Sequence, residues 1–370
     1  MVPPDTRLSV LPGLAECPVA SGNVNRLPGG PTLAGMTNSP PVPAGTDPDF
    51  FLDTLPDPVL ASMEVRDRWF ASVGAAADGR AYFIADLQRW LPGQTVRVAF
   101  LGGDTALHRD IEQATKQITD ACDITLDFGF DAATKRYRSW SEHDTEFAAE
   151  VRVSFDQPGF NSLIGRDAVN AIGPADSPMG GRPYQRSLNL AGFPISRPAN
   201  WMGVVRHEFL HAVAFLHEHQ HPAGGCEAQF RWDDDPGYLP TTDETGRYIT
   251  DAGGHRPGIY TYLAGAPNHW TREKVDHNLR PRPADGAILG DFDRASVMLY
   301  RFPDLFYVTV PSPCSPVGNG IELSDGDIAG LRLIYPFDAG TARTETGRRT
   351  GAVDLLSGFK ELPVGLLPLA

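Results

Sequence analysis

Cysteine is scarce: Cys17, Cys122, Cys226 and Cys314 are the only four in 370 residues. That is too few for a disulfide-scaffold protein. Positive charge is also short, with 32 Lys and Arg against 46 Asp and Glu for a net charge of −14. A nucleic-acid surface needs a clustered basic face, and adhesion to anionic lipid needs the same, so the balance argues against both. Long apolar runs are missing too; none approaches the ~18 residues of a membrane-spanning helix. Met1 to Ala20 is interrupted by Pro3, Pro4, Pro12 and Pro18. It lacks the apolar block of about 7 residues or more that marks a signal peptide, so no export signal is visible and the compartment stays open.

What is present is a chain with enough apolar residues, 41%, for a packed core. Residues 1–58 hold twelve Pro and six Gly with no helical or strand period, and read as a disordered leader. Residues 59–87 carry apolar residues at helical spacing and read as a lead-in, part of a propeptide if one is removed. From Gln94 the pattern sharpens. TVRVAFL alternates as a strand, Asp104 or Thr105 can cap a helix through ALHRDIEQATKQITDA, and ITLDFGF and AEVRVSF read as further strands. Leu107, Ile111, Ala114 and Ile118 form one stripe on that helix. Arg186–Phe193 is a short strand, and Asn200 is placed to cap a helix to about Val213. Residues 236–290 read as a long surface insertion. Ser324 caps a short helix ended by Pro336, and 338–370 read as a tail.

The informative segment is His207-Glu208-Phe209-Leu210-His211, followed by His217. Histidines at i and i+4 lie one above the other on a helix face, so their imidazoles can converge on one ion. A catalytic zinc site uses three protein ligands and keeps one position open for water. Glu208 then stands beside the metal, able to take a proton from that water. A chance HExxH is expected in roughly one chain in a hundred of this composition, and a third His at this spacing lowers that to about 3 in 10,000. The grouping is therefore read as a ligand set. His219 and His221 are read as solvent-facing or hydrogen-bonded, and His108, His143, His255, His269 and His277 have no ligand spacing around them.

Further on comes Ser296-Val297-Met298-Leu299-Tyr300. HEFLHAVAFLHEHQ followed by SVMLY resembles the astacin-type zinc metallopeptidases of the metzincin clan, whose motif is HExxHxxGxxHE followed by an SxMxY turn. VRVAFLGGD, VRVSF, LNLAGF and LSDGDIAGLRLIYP extend the likeness in order over residues 88–337. The resemblance implies an α+β fold: a twisted mixed sheet with an antiparallel edge strand, an active-site helix and an irregular C-terminal subdomain. It implies one catalytic Zn2+ held by His207, His211 and His217, with Glu208 as general base. Met298 would form the floor beneath the metal, and Tyr300 would stabilise the oxyanion. Glu218 would correspond to the glutamate that meets the N-terminus of a mature chain. The implied activity is endopeptidase cleavage of protein or peptide substrates. The family is mostly secreted.

Two positions depart from the pattern. Ala214 replaces the glycine that eases the turn from helix to third ligand, and Leu299 stands where His is common. An extended substrate is expected to add to an exposed strand edge at Arg186–Gly192, touching Leu188, Asn189, Leu190 and Ala191. An alternative reading is a zinc-stabilised protein-binding module of the same fold that has lost catalysis; the presence of Glu208 speaks against it. Cys226 and Cys314 follow the third ligand and the tyrosine, on segments leaving neighbouring walls of the cleft, and are expected to form a disulfide if the protein is exported. Pairing of Cys122 with either stays open. Oligomeric state and cleavage specificity are not legible.

Overall fold

The computed structural model describes residues 54–76, 83–281 and 290–357. The expected leader as far as residue 53, Cys17 within it, and the end of the tail from 358 lie outside the described residues. The lead-in is helical, as expected, in two pieces: α1 (Asp57–Ala76) and α2 (Phe83–Gln88). Alternation in Thr95–Phe100 gives β1, followed by α3 (Thr105–Ala121), β2 (Thr125–Asp127), β3 (Val151–Ser154), β4 (Phe160–Ser162) and β5 (Leu188–Leu190). Asp104 caps α3 by accepting from the Leu107 N–H at 2.8 Å, and the stripe Leu107, Ile111, Ala114 and Ile118 is buried in the main core.

The strands form one sheet in the order β2-β1-β3-β5-β4. All neighbours are parallel except β4 and β5, which run antiparallel with Asn161 opposite Asn189. This is an α+β fold with a mixed sheet and an antiparallel edge strand. One expectation is corrected. The strand Leu188–Leu190 is not an edge: it is paired on both sides, and the open edge falls to β4. Leu188 and Leu190 lie in the core, and the buried Asn189 amide donates to the carbonyls of Gln157 and Gly159. Ala191 is half-buried and donates to Gly159 O.

The central helix α4 (Trp201–Ala212) packs on α3, where Arg206 Nε donates to Ala114 O at 3.0 Å. After it come α5 (Cys226–Gln229), α6 (Ile259–Ala264), α7 (Arg272–Leu279), α8 (Asp325–Ile334) and α9 (Ala339–Ser357). The stretch 236–290 is more than a surface insertion. Its α6 and α7 bury Ile259, Leu263, Val275 and Leu279 in a second core with Phe302, Phe306 and Tyr307. The Cys226–Cys314 disulfide closes this subdomain, with Cα atoms 5.5 Å apart. Cys122 is a buried free thiol whose pKa burial pushes up to about 12. The tail also departs from expectation, because its described part is the helix α9. That helix packs on α2, with Glu345 accepting from Arg89 at 2.5 Å and Arg348 reaching Asp86 at 3.0 Å. Among the described residues no helix is long and apolar enough to cross a membrane.

Candidate metal centre

Helix α4 carries His207, Glu208 and His211, all buried. The one-turn spacing brings the two imidazoles to 4.8 Å between ring centres. The helix then ends in a Schellman turn: Phe215 N–H bonds Leu210 O at 2.9 Å and Ala214 N–H bonds His211 O at 2.8 Å. Such a turn needs a left-handed residue, and Ala214 supplies it at φ +74°. The chain thus takes the turn expected of glycine, with a methyl group in a conformation that costs an L-residue roughly 1–2 kcal/mol. Two distant side chains satisfy the last carbonyls: Trp90 Nε1 donates to Ala212 O at 2.7 Å and Tyr335 to Val213 O at 3.0 Å.

The turn returns His217 to the helix. His211 Nε2 and His217 Nε2 are 3.0 Å apart, and one ring nitrogen from each of His207, His211 and His217 falls within 4.8 Å of the others. Tetrahedral ligands at about 2.0–2.1 Å from zinc stand roughly 3.3 Å from one another, so the three imidazoles fit such an ion. Their outer nitrogens are already directed. His207 Nδ1 is 2.8 Å from Val297 O and His211 Nδ1 is 2.8 Å from Phe215 O, which leaves each Nε2 facing inward. The hydroxyl of buried Tyr300 is 2.8 Å from His217 Nε2.

The turn at 296–300 is held by a capping box. Ser324 caps α8 and Asp327 closes the box in return. The same Asp327 carboxylate accepts from Ser296 Oγ at 2.6 Å and from Val297 N at 3.1 Å. Met298 is buried in the main core, and its carbonyl accepts from Glu218 N at 3.0 Å. Glu218 itself accepts from Asp293 N at 2.6 Å. Burial pushes the Glu218 carboxyl up to about 7; the Asp293 N–H opposes this, while the charges of Asp327 and Asp293 add to it.

The structure brings His207, His211, His217 and Tyr300 together, with buried Glu208 following His207 on α4, and leaves Leu188–Leu190 as core. His219 takes the hydrogen-bonded alternative of its sequence reading and not the solvent-facing one. It is fully buried, stacks on Tyr300 at 4.8 Å between ring centres, and bonds Asn278 O through Nε2 at 2.8 Å. Its only sequence signal was the HEHQH run, which reads equally well as a wet surface. His277 also lies close, with Nδ1 3.0 Å from Glu64 of α1.

No protein-family model matches the chain, and no curated protein matches it. Among solved structures it is similar to a structure of myroilysin, with 23% identity and a TM-score of 0.46 over 68% of this chain and 97% of that one. A crystal structure of myroilysin aligns at 23% identity and TM-score 0.39, over 67% of this chain and 86% of that one. High choriolytic enzyme 1, a hatching enzyme zinc-protease from the medaka Oryzias latipes, aligns at 14% identity and TM-score 0.37, over 67% of this chain and 94% of that one.

Proposed function

We propose that this protein is a zinc-dependent endopeptidase of the astacin type. One observation carries the reading: three inward-facing imidazoles converge with a carboxylate next to the first and a tyrosine hydroxyl at the third. Zinc bound there would supply Lewis acidity, polarising a carbonyl and acidifying a water toward a pKa of about 7. Glu208, the residue after the first ligand, accepts a proton from the attacking water and returns it to the leaving amine. Once His217 Nε2 serves as a ligand, the Tyr300 hydroxyl loses that partner and can donate to the oxyanion of the tetrahedral adduct. The open edge of β4 offers backbone groups to an extended peptide, which is how a strand of substrate would be held. The Cys226–Cys314 disulfide supports residence in an oxidising compartment. Metal analysis of the purified chain tests the reading, together with casein cleavage before and after a chelator. One zinc per chain and chelator-sensitive cleavage are expected; a metal-loaded chain that cleaves nothing, even after limited proteolysis, overturns it.

We further infer that α1 restrains the site until the chain is cut. Asp57 pairs with Lys274 of α7 at 2.6 Å and Glu64 with His277 at 3.0 Å, while Arg66 forms a buried ion pair with Asp167 in the short helical turn Gly165–Ala168. Leu55, Leu60 and Met63 share a small hollow with His211, His217 and His277. Limited proteolysis with N-terminal sequencing is expected to find activity rising as α1 is lost. Full activity of the uncut chain would count against the restraint.

A further inference from the structure

The turn at Ala214 decides where His217 stands, and the groups that hold it come from far along the chain in both directions. The Tyr335 hydroxyl donates to Val213 O at 3.0 Å and accepts from Trp90 N at 3.2 Å, while Trp90 Nε1 donates to Ala212 O at 2.7 Å. Both rings are fully buried. Gly165 lies between α2 and the turn. A Cβ there would sit 2.1 Å from Gln88 O and 3.0 Å from the Ala214 methyl, so only glycine lets the two approach. Residues 88–90, at the end of α2, therefore reach the turn twice, by a hydrogen bond and by packing through Gly165.

What keeps residues 88–90 in place is the C-terminal helix. With 6 residues, α2 is too short to hold its own shape. Arg89, just past its end, is 2% exposed and donates to Asp86 Oδ1 at 2.9 Å, to Glu345 Oε2 at 2.5 Å and to Glu345 O at 3.1 Å. Arg348 completes the ring from α9 by donating to Asp86 Oδ1 at 3.0 Å. A buried guanidinium that loses a carboxylate gives up a charge-assisted bond and keeps the cost of its burial, so the position of Arg89 depends on α9. Helix α9 itself carries Gly340, Gly347 and Gly351 and few apolar residues. Its propensity is poor, and the ion pairs to α2 are what dock it.

We propose that Arg89 is a positioning residue for the third ligand: α9 grips it through Glu345, and it holds Trp90 against the turn that delivers His217, so the C-terminal helix sets how tightly the site holds its metal. The proposal rests on the zinc-site part of the reading above and needs no peptidase activity for its test. Zinc affinity of the full chain is measured by chelator competition, and the visible spectrum of the Co2+-loaded chain reports ligand geometry. Glu345→Gln is expected to weaken zinc by about three- to tenfold, less than the loss of a partner bonded directly to a ligand, and to shift the cobalt bands. Trp90→Phe should weaken it by about tenfold, and adding Glu345→Gln to it should cost little more, because both act along one route. Arg348→Gln, at a half-exposed position, should move affinity the same way by less. Ile118→Val, in the main core, should lower Tm without moving affinity or spectrum. Parental affinity and spectrum in both Glu345→Gln and Arg348→Gln overturn the proposal. So does a loss of affinity that merely tracks Tm, with Ile118→Val included. An unaltered chain that takes up no zinc overturns the metal-centre reading and the proposal with it, whereas the endopeptidase reading is judged separately by casein cleavage.

Discussion

Two kinds of backbone meet at the candidate metal centre. His207, Glu208 and His211 ride on one regular helix, whereas His217 and Tyr300 stand on irregular segments. On the helix, spacing alone sets the geometry, because i and i+4 share a face. On the irregular side the same precision comes from bonds made far away in sequence: Asp327 fixes Ser296 and Val297, and Val297 O aims His207. A motif read along the chain therefore shows the helical half directly and only hints at the other.

Substitutions can separate the halves. The largest effect is expected for Glu208→Gln, which should keep fold and metal yet lower casein turnover by about 10^3-fold or more. Cleavage at the unaltered rate would remove Glu208 from the role of base. Next comes Tyr300→Phe, with turnover falling on the order of 10- to 100-fold while zinc stays bound. Loss of the metal from that variant would instead make the tyrosine structural. Asp327→Asn tests the irregular half without touching the helix: zinc affinity should drop by about tenfold as Val297 O loosens its hold on His207. Chelator competition measures this, and an unchanged affinity would mean that α4 positions its own ligands. The smallest effect belongs to the junction. Ala214→Gly should stabilise by about 0.5 kcal/mol, because relief at φ +74° outweighs the extra freedom glycine gains in the unfolded chain. Thermal melting reads the sign directly, and a lower Tm would show that the Ala214 methyl packs well enough to offset its strain.

Much of the fold was legible where local signals and burial agree. Asp104 with the stripe of α3 and Ser324 with α8 follow from capping and period, and the extent of α4 matches its expected bounds, although the Asn200 side chain makes no capping bond. The failures share a cause, which is dependence on remote partners. Three-residue β4 has too little alternation to announce itself as the edge, so the edge was assigned to its neighbour Leu188–Leu190. Helix α9 has almost no apolar stripe; Glu345 and Arg348 hold it to Arg89 and Asp86, more than 250 residues earlier. For His219, read as solvent-facing or hydrogen-bonded, the bond to Asn278 O selects the second, a choice that no local pattern foretells.

The buried pair of Arg66 with Asp167 has a consequence for how such a chain would be switched on. Severing the backbone between Ala76 and Phe83 would not by itself free α1. Asp167 is wholly enclosed, and withdrawing Arg66 leaves its carboxylate a long bond from the Gln88 amide at 3.3 Å but no cation, at a cost of several kcal/mol, added to the re-exposure of Val59, Leu60 and Met63. The cut molecule would behave as two pieces bound to each other with a dissociation constant of their own. Its release would then follow dilution: a concentrated store of nicked chain would stay closed, and the same chain spread into a larger volume would open.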